Sequence, residues 1–227
     1  NAGSMICTGD VVVVSNADIG ISAADLRSLA AEAYNEGVGL AGPRFVDATG
    51  SLVRSSHYRD PGLLTTLWEY SVLFGAVASR LRPEWHPTLR SRQDHDADHD
   101  TLHVLGALMA MPAEAFREVG GFDEGFFLYR EETDLCHRLR AAGWRVRHVA
   151  TVTAVHEGDA SSNDGRPVPV RLAAVRSHYA FLRKHRGTVV AAIAWLLGVT
   201  GSVSWLLTGP RRRFGRDSLS AHFQVVR

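Results

Sequence analysis

The hydrophobic and polar positions of the chain fall into two patterns: short β-branched runs, and longer stretches with apolar residues three and four apart. The first run, VVVV at 11–14, predicts a central strand buried on both faces. Residues 22–35 carry Leu26, Leu29, Ala30 and Ala33 on one stripe behind Ser22, with Asp25 three places on, which predicts a capped amphipathic helix ended by Gly37. Residues 38–56 give a strand, a turn at Asp47-Ala48-Thr49-Gly50 and a second short strand. In 58–90, Leu63, Leu64, Leu67, Trp68, Val72, Leu73 and Val77 can share a helical face, and Pro83 and Pro87 end that pattern. Residues 104–111 read as a strand interrupted at Gly106, where a ligand or another backbone can approach closely. A short helix starts at Pro112.

The most informative stretch is 120–156. Gly120-Gly121 permits a tight turn, and Phe122, Phe126, Phe127 and Tyr129 predict a loop pinned by buried aromatic rings. Glu131, Glu132 and Asp134 then run into Leu135, Cys136, Leu139 and Ala142 at helical spacing, with Gly143 placed to end the helix. Acids in a first helical turn are each worth ~0.3–1 kcal/mol against the helix dipole, and that role suits Asp134 as well as any chemical one. A carboxylate beside aromatic walls has its pKa raised and can take a proton from a hydroxyl, so Glu132 and Glu131 are candidate general bases. Trp144, Val146, Val149, Val152 and Val155 predict a buried strand closing at His156.

Composition narrows the picture only a little. With 227 residues, 45% hydrophobic and 22% charged, the chain can bury a core, and a net charge of +1 gives no reason to expect nucleic acid, although Arg is concentrated toward the C-terminus. Cys7 and Cys136 lack metal spacing and fit a reducing compartment. Asp94, Asp96, Asp98 and Asp100 alternate like the start of a calcium loop, but the sixth position is His99 and the twelfth Leu105, so a solvated acidic loop is expected. Residues 171–186 predict a basic amphipathic helix. Residues 188–208 contain no charge and are bracketed by Arg183-Lys184-His185-Arg186 and Arg211-Arg212-Arg213. They can span a membrane, lie in its plane with Trp195 and Trp205 at headgroup level, or pack on the rest of the chain.

The run GGFDEGFFLYREETDLCHRLRAAGWRV at 120–146, followed by H-x-G-x-x-S at 156–161, resembles the C-terminal half of the catalytic domain of family-2 glycosyltransferases, and most of all their bacterial rhamnosyltransferase-like branch. The resemblance implies an α/β fold of the GT-A (Rossmann-like) type, a mixed sheet flanked by helices over 1–170, with a helical extension over 171–227 made of a basic amphipathic helix, an apolar helix and a basic tail. NAGSMICTGD is similar to the segment that leads into the family's metal-binding strand. In the family, strands holding the nucleotide base precede it, so the chain is expected to be an N-terminally truncated fragment that binds donor weakly or not at all and is inactive alone.

The resemblance also assigns roles. Ser15-Asn16-Ala17-Asp18 matches the N-x-D form of the family's D-x-D motif, which makes Asp18 a ligand for Mg²⁺ or Mn²⁺ and Asn16 a donor-binding residue. By spacing alone N-x-D is an ordinary strand-end turn. His156 matches the final metal ligand, and Gly106-Ala107 the step that faces the donor sugar. Glu132 stands where the family has an Asp as base, with Glu131 as the alternative. Asp123, Tyr129 and Asp134 fall on the acceptor side, as does the variable stretch 58–90. The processive Q-x-x-R-W motif is missing, which favours transfer of one sugar at a time.

Together these imply inverting, metal-dependent transfer from a nucleotide-diphosphate sugar, dTDP-rhamnose by branch, to a glycan or lipid-linked acceptor in cell-envelope polysaccharide synthesis. The expected location is cytoplasmic, at the inner face of the plasma membrane. Two other classes suit the same residues: a metal-dependent sugar-phosphate hydrolase, and a non-catalytic module derived from a transferase.

Overall fold

Alternation along the strands divides the core into two layers. The computed structural model describes residues 1, 3, 6–53, 56–57, 60–81, 95–156, 168–208 and 212–225; the expectations for 82–94, 157–167 and Arg211 fall outside them. The chain forms two compact units. The first comprises Asn1–Tyr58, Thr88–Asp123 and Glu132–Ala160; the second comprises Arg59–Pro87, Glu124–Glu131 and Ser161–Arg227.

Among the described residues the first unit is built on a seven-stranded mixed sheet. Its strands are β1 (Val11–Ser15), β2 (Ile19–Gly20), β3 (Val38–Val46), β4 (Leu52–Val53), β6 (His99–Asp100), β8 (Leu108–Pro112) and β9 (Arg145–His156), while β5 (Ser56–His57) and β7 (His103–Val104) pair separately. The order is β1-β8-β3-β9-β2, with β4 on β3 and β6 on β9. β3 and β9 are parallel, and β8 runs antiparallel to both β1 and β3. On one face Leu40, Met109 and Met111 pack with Leu135, Cys136 and Leu139 of helix α5 (Glu131–Ala141) and with Phe116 of α4 (Ala113–Glu118). On the other, Ala41, Leu108 and Ala110 pack with Leu29 of α1 (Ala23–Glu32). Neighbouring residues thus serve opposite layers, as the period of two requires.

Local chemistry sets the ends of these elements. The Ser22 hydroxyl caps α1 by accepting from the Asp25 N–H at 3.0 Å. Gly143, at φ 95°, ends α5, and the Trp144 N–H bonds back to the Leu139 carbonyl as in a Schellman cap. Pro43 offers no N–H to the ladder, and it is there that the β3–β9 register jumps from Pro43↔Val149 to Arg44↔Thr153. Asp98 accepts from the bulged Ala150 and Thr151 N–H groups at 2.7 and 3.4 Å.

Several expectations change. Among the described residues β1 is an edge strand, not a central one, and Val13 is 41% exposed; a β-branched run looks the same in either place. The strand expected over 104–111 breaks into β7 and β8 around a turn at 105–107. The acidic loop is not simply solvated: Asp96 pairs with Arg44, Asp98 with Arg147, and Asp100 with Arg145 and Arg147.

The second unit is helical: α2 (Leu63–Tyr70), α3 (Val72–Leu81), α6 (Val168–Arg186), α7 (Thr188–Thr208) and α8 (Arg212–Val225). Residues read as a basic tail therefore form a helix. Its core joins Tyr70, Val175, Tyr179, Leu182, Ala194 and Ala221. Two of its buried imidazoles are paired: Thr66 Oγ1 lies 2.8 Å from His178 Nε2, and Tyr179 OH 3.0 Å from His222 Nδ1. Burial pulls both imidazoles down to about 4, so they are neutral at pH 7. His178, although 3.7 Å from Glu69, is for that reason not its ion-pair partner; Arg130 is, at 2.5 Å.

Candidate functional site

The end of β1 is tied to the turn before β8. One step beyond the Ser15↔Leu108 pair, the Asn16 N–H donates to the Ala107 carbonyl at 2.8 Å. The chain then passes through Ala17 and Asp18 into β2, whose Ile19 pairs with His156 at the end of β9. Asp18 is carried to that strand end, and its Oδ2 lies 3.5 Å from His156 Nε2. The imidazole rests against Phe45, ring centroids 5.9 Å apart. The Asp18 side chain is 45% exposed and that of His156 16%, so the pair opens to solvent mainly through the carboxylate.

Glu132 reaches the same turn from the other side. A Cβ on Gly106 would sit 3.0 Å from Glu132 Cβ and 3.2 Å from its Cγ, so glycine is what lets the glutamate side chain pass. Thr133 Oγ1 donates to Glu132 Oε1 at 3.3 Å. Asn16 touches Ala107 and Glu132 touches Gly106, while Asp18 and His156 meet one another. β1, β3 and β9 run in one direction, so this is the carboxyl end of the parallel strands, where open α/β sheets receive ligands.

The other predicted residues are placed differently. Asp123 is half-buried and follows Phe122, whose backbone is held on both sides by one side chain: Asn1 Nδ2 donates to the Phe122 carbonyl at 2.7 Å, and the Phe122 N–H to Asn1 Oδ1 at 2.9 Å. That positioning role of Asn1 escaped the sequence reading; its only signal was its place at the head of NAGSMICTGD. Asp134 is fully buried and accepts from Arg138 Nε at 2.7 Å. It points into the unit and not toward a surface that an acceptor can reach.

Tyr129 and Glu131 belong to the second unit. There Tyr129 and Arg130 have φ of 65° and 71°, an unfavourable left-handed pair. The segment is fastened by the Arg130–Glu69 pair and by Ser177 Oγ donating to the Leu128 carbonyl at 2.8 Å. Burial raises the Glu131 carboxyl above its ordinary range, and its Oε2 is buried without a hydrogen-bond partner. The aromatic loop is pinned by fewer rings than expected: Phe126 is buried, but Phe127 is 92% exposed.

A carboxylate oxygen and an imidazole nitrogen 3.5 Å apart, with access to solvent, are a donor set that fits Mg²⁺ or Mn²⁺. No group of three or more His, Cys, Asp or Glu side chains suited to a metal occurs among the described residues. The pair would therefore hold a divalent ion only with further oxygen ligands from phosphate or water, the usual arrangement for Mg²⁺ in nucleotide sites.

The chain is 29% identical over 197 residues to N-acetylglucosaminyl-diphospho-decaprenol L-rhamnosyltransferase of Mycobacterium tuberculosis, an alignment covering 83% of this chain and 60% of the relative. It thus spans about 60% of the length of those relatives. A shorter match, 43% over 51 residues, covers 22% of the chain and 19% of the rhamnosyltransferase WbbL of Escherichia coli K12. In fold it is similar to GalNAc-T7 solved with UDP, GalNAc and Mn²⁺, with a TM-score of 0.56 and 14% identity over 96% of this chain and 40% of that one, which identifies a GT-A-type fold. The model of glycosyl transferase family group 2 matches residues 76–210, more than half of the chain, and the chain belongs to that family.

Proposed function

We propose that this chain is part of an inverting, metal-dependent enzyme that moves one sugar from a nucleotide-diphosphate donor to a hydroxyl of a glycan or lipid-linked acceptor. The observation that supports the reading is that the Asp18–His156 pair, the Asn16–Ala107 bond and the Glu132–Gly106 contact all lie at the same end of one sheet. The names of the rhamnosyltransferase relatives favour rhamnose as the sugar moved and a polyprenyl-diphosphate glycan as acceptor, and the branch resemblance favours dTDP as the sugar's carrier. Such an acceptor would place the work at the cytoplasmic face of the plasma membrane, in cell-envelope polysaccharide synthesis.

Asp18 and His156 would hold Mg²⁺ or Mn²⁺, which supplies positive charge opposite the diphosphate as it leaves. Asn16 would hydrogen-bond the donor's ribose or phosphate, and the Gly106-Ala107 turn would lie against its sugar. Glu132 would take the proton of the acceptor hydroxyl. The freed oxygen attacks the anomeric carbon as the bond to the diphosphate breaks; that bond's electron pair leaves with the phosphate, and the configuration inverts. A glutamate reaches one methylene further than the family's aspartate, and the close passage allowed by Gly106 gives the longer side chain its room. Glu131, with its raised pKa, is the rival base.

The test is to incubate the full-length protein with nucleotide sugar and Mn²⁺, with and without a polyprenyl-diphosphate acceptor. Transfer that requires the acceptor supports the reading; equal release of free sugar in both reactions means hydrolysis, and no turnover at all means a non-catalytic module.

A further inference from the structure

Helix α7 buries one side and leaves the other uncovered. Ala194, Gly198, Gly201 and Ser202 face the helical unit, where a Cβ on Gly198 would strike the Tyr179 hydroxyl and one on Gly201 the Tyr70 carbonyl at 2.7 Å. Trp195 Nε1 donates to the His222 carbonyl at 2.9 Å. Val189, Ile193, Leu196, Val203 and Leu207 are all exposed and, with Thr200, recur at the spacing of one helical face. The hydroxyl of Thr200 is bonded back to the Leu196 and Leu197 carbonyls at 3.0 and 3.1 Å, so the one polar residue of the stripe makes no demand on water. Phe223 of α8, half-exposed and edge-on to Trp195 at 5.8 Å, widens the apolar surface.

Charge says what covers it. Residues 168–227 hold ten of the chain's 25 Lys and Arg residues and one of its 24 acids, although the whole chain is close to neutral. Arg183, Lys184 and Arg186 are exposed in the last turn of α6, immediately before α7, and Arg216 is exposed in α8, just after it. An apolar stripe ~30 Å long with cationic residues at both ends complements an anionic lipid surface.

We propose that α7 lies in the plane of an anionic bilayer, with Val189, Ile193, Leu196, Val203 and Leu207 sunk between headgroups and Arg183 and Arg216 bound to lipid phosphates. The helix is long and apolar enough to cross a membrane. Crossing would strip away the close packing at Gly198 and Gly201 and the Trp195 bond, so the in-plane position is the one compatible with the fold.

Lipid binding is independent of sugar transfer and is tested without it, by flotation of the full-length protein with vesicles of phosphatidylcholine alone and with vesicles in which about one lipid in three is phosphatidylglycerol. Binding is expected to the charged vesicles and to fall about tenfold or more in Leu196→Glu/Val203→Glu, and by a similar factor in Arg183→Glu/Arg216→Glu, both folded by circular dichroism. Absence of wild-type binding to charged vesicles would overturn the proposal. So would binding that survives both pairs of substitutions, retention in membranes after alkaline carbonate, which means a span, or a stripe variant that dissociates a dimer while floating normally.

Discussion

Glu132→Gln is expected to lower kcat by about 10²–10⁴-fold, the usual contribution of a general base, while leaving the thermal midpoint close to that of the wild type. The side chain passes over Gly106 and takes a long hydrogen bond from the neighbouring Thr133 hydroxyl, which an amide oxygen can accept equally well. Glu132→Asp supplies the residue that the family resemblance implies at this position, and turnover at or above the wild-type level is expected. Glu131→Gln separates the two acids. If Glu131 is not the base, its loss leaves kcat nearly unchanged. It also removes a carboxyl whose ionised form burial disfavours. A group with a raised folded-state pKa favours the folded state at low pH and costs stability as pH rises through that pKa, so Glu131→Gln should be slightly more stable than wild type at neutral pH. Loss of kcat in Glu131→Gln with wild-type rates in Glu132→Gln would exchange their roles.

The second large effect concerns stability. Asp134→Ala is expected to cost about 3–5 kcal/mol in denaturant unfolding, because it takes the carboxylate away from the Arg138 guanidinium, which also donates to the Val119 carbonyl, in a nearly closed interior. Asp134→Asn keeps a hydrogen-bond acceptor and should lose less. An Asp134→Ala protein of wild-type stability but with a raised KM for acceptor would return this acid to the acceptor side.

These acids show what sequence could and could not tell. Glu131, Glu132 and Asp134 look alike in a helical pattern, and the stripe of Leu135, Cys136 and Leu139 correctly placed the helix that carries them. Which acid turns inward depends on Arg138 and on the Val119 carbonyl, and periodicity records polarity without recording partners. The same limit applies to Asp96, Asp98 and Asp100, whose arginines at 44, 145 and 147 come from β3 and β9. Phe126 and Phe127 are adjacent and equally apolar, yet only one faces inward. Helix α8 was missed because its buried positions are Gly215, Ser218, Ala221 and His222, small or polar residues that leave no hydrophobic stripe. In contrast, the strand-helix rhythm, the cap at Ser22 and the stop at Gly143 were legible because each rests on residues close together in sequence. Asn16, Asp18 and His156 were singled out through family resemblance; their spacing alone gave no more than a turn and a strand end.

Whether Asp18, His156 and Glu132 serve one pocket at the end of the sheet can be measured without any turnover. Mn²⁺ relaxes nearby amide resonances steeply with distance, so NMR spectra of the full-length protein titrated with Mn²⁺ and dTDP locate the ion directly. Broadening is expected first at residues 16–19, 105–107, 132–133 and 155–156, and is expected to disappear in Asp18→Ala/His156→Ala. Broadening centred on the acidic loop at 96–100, or unchanged by that double substitution, would contradict a shared pocket.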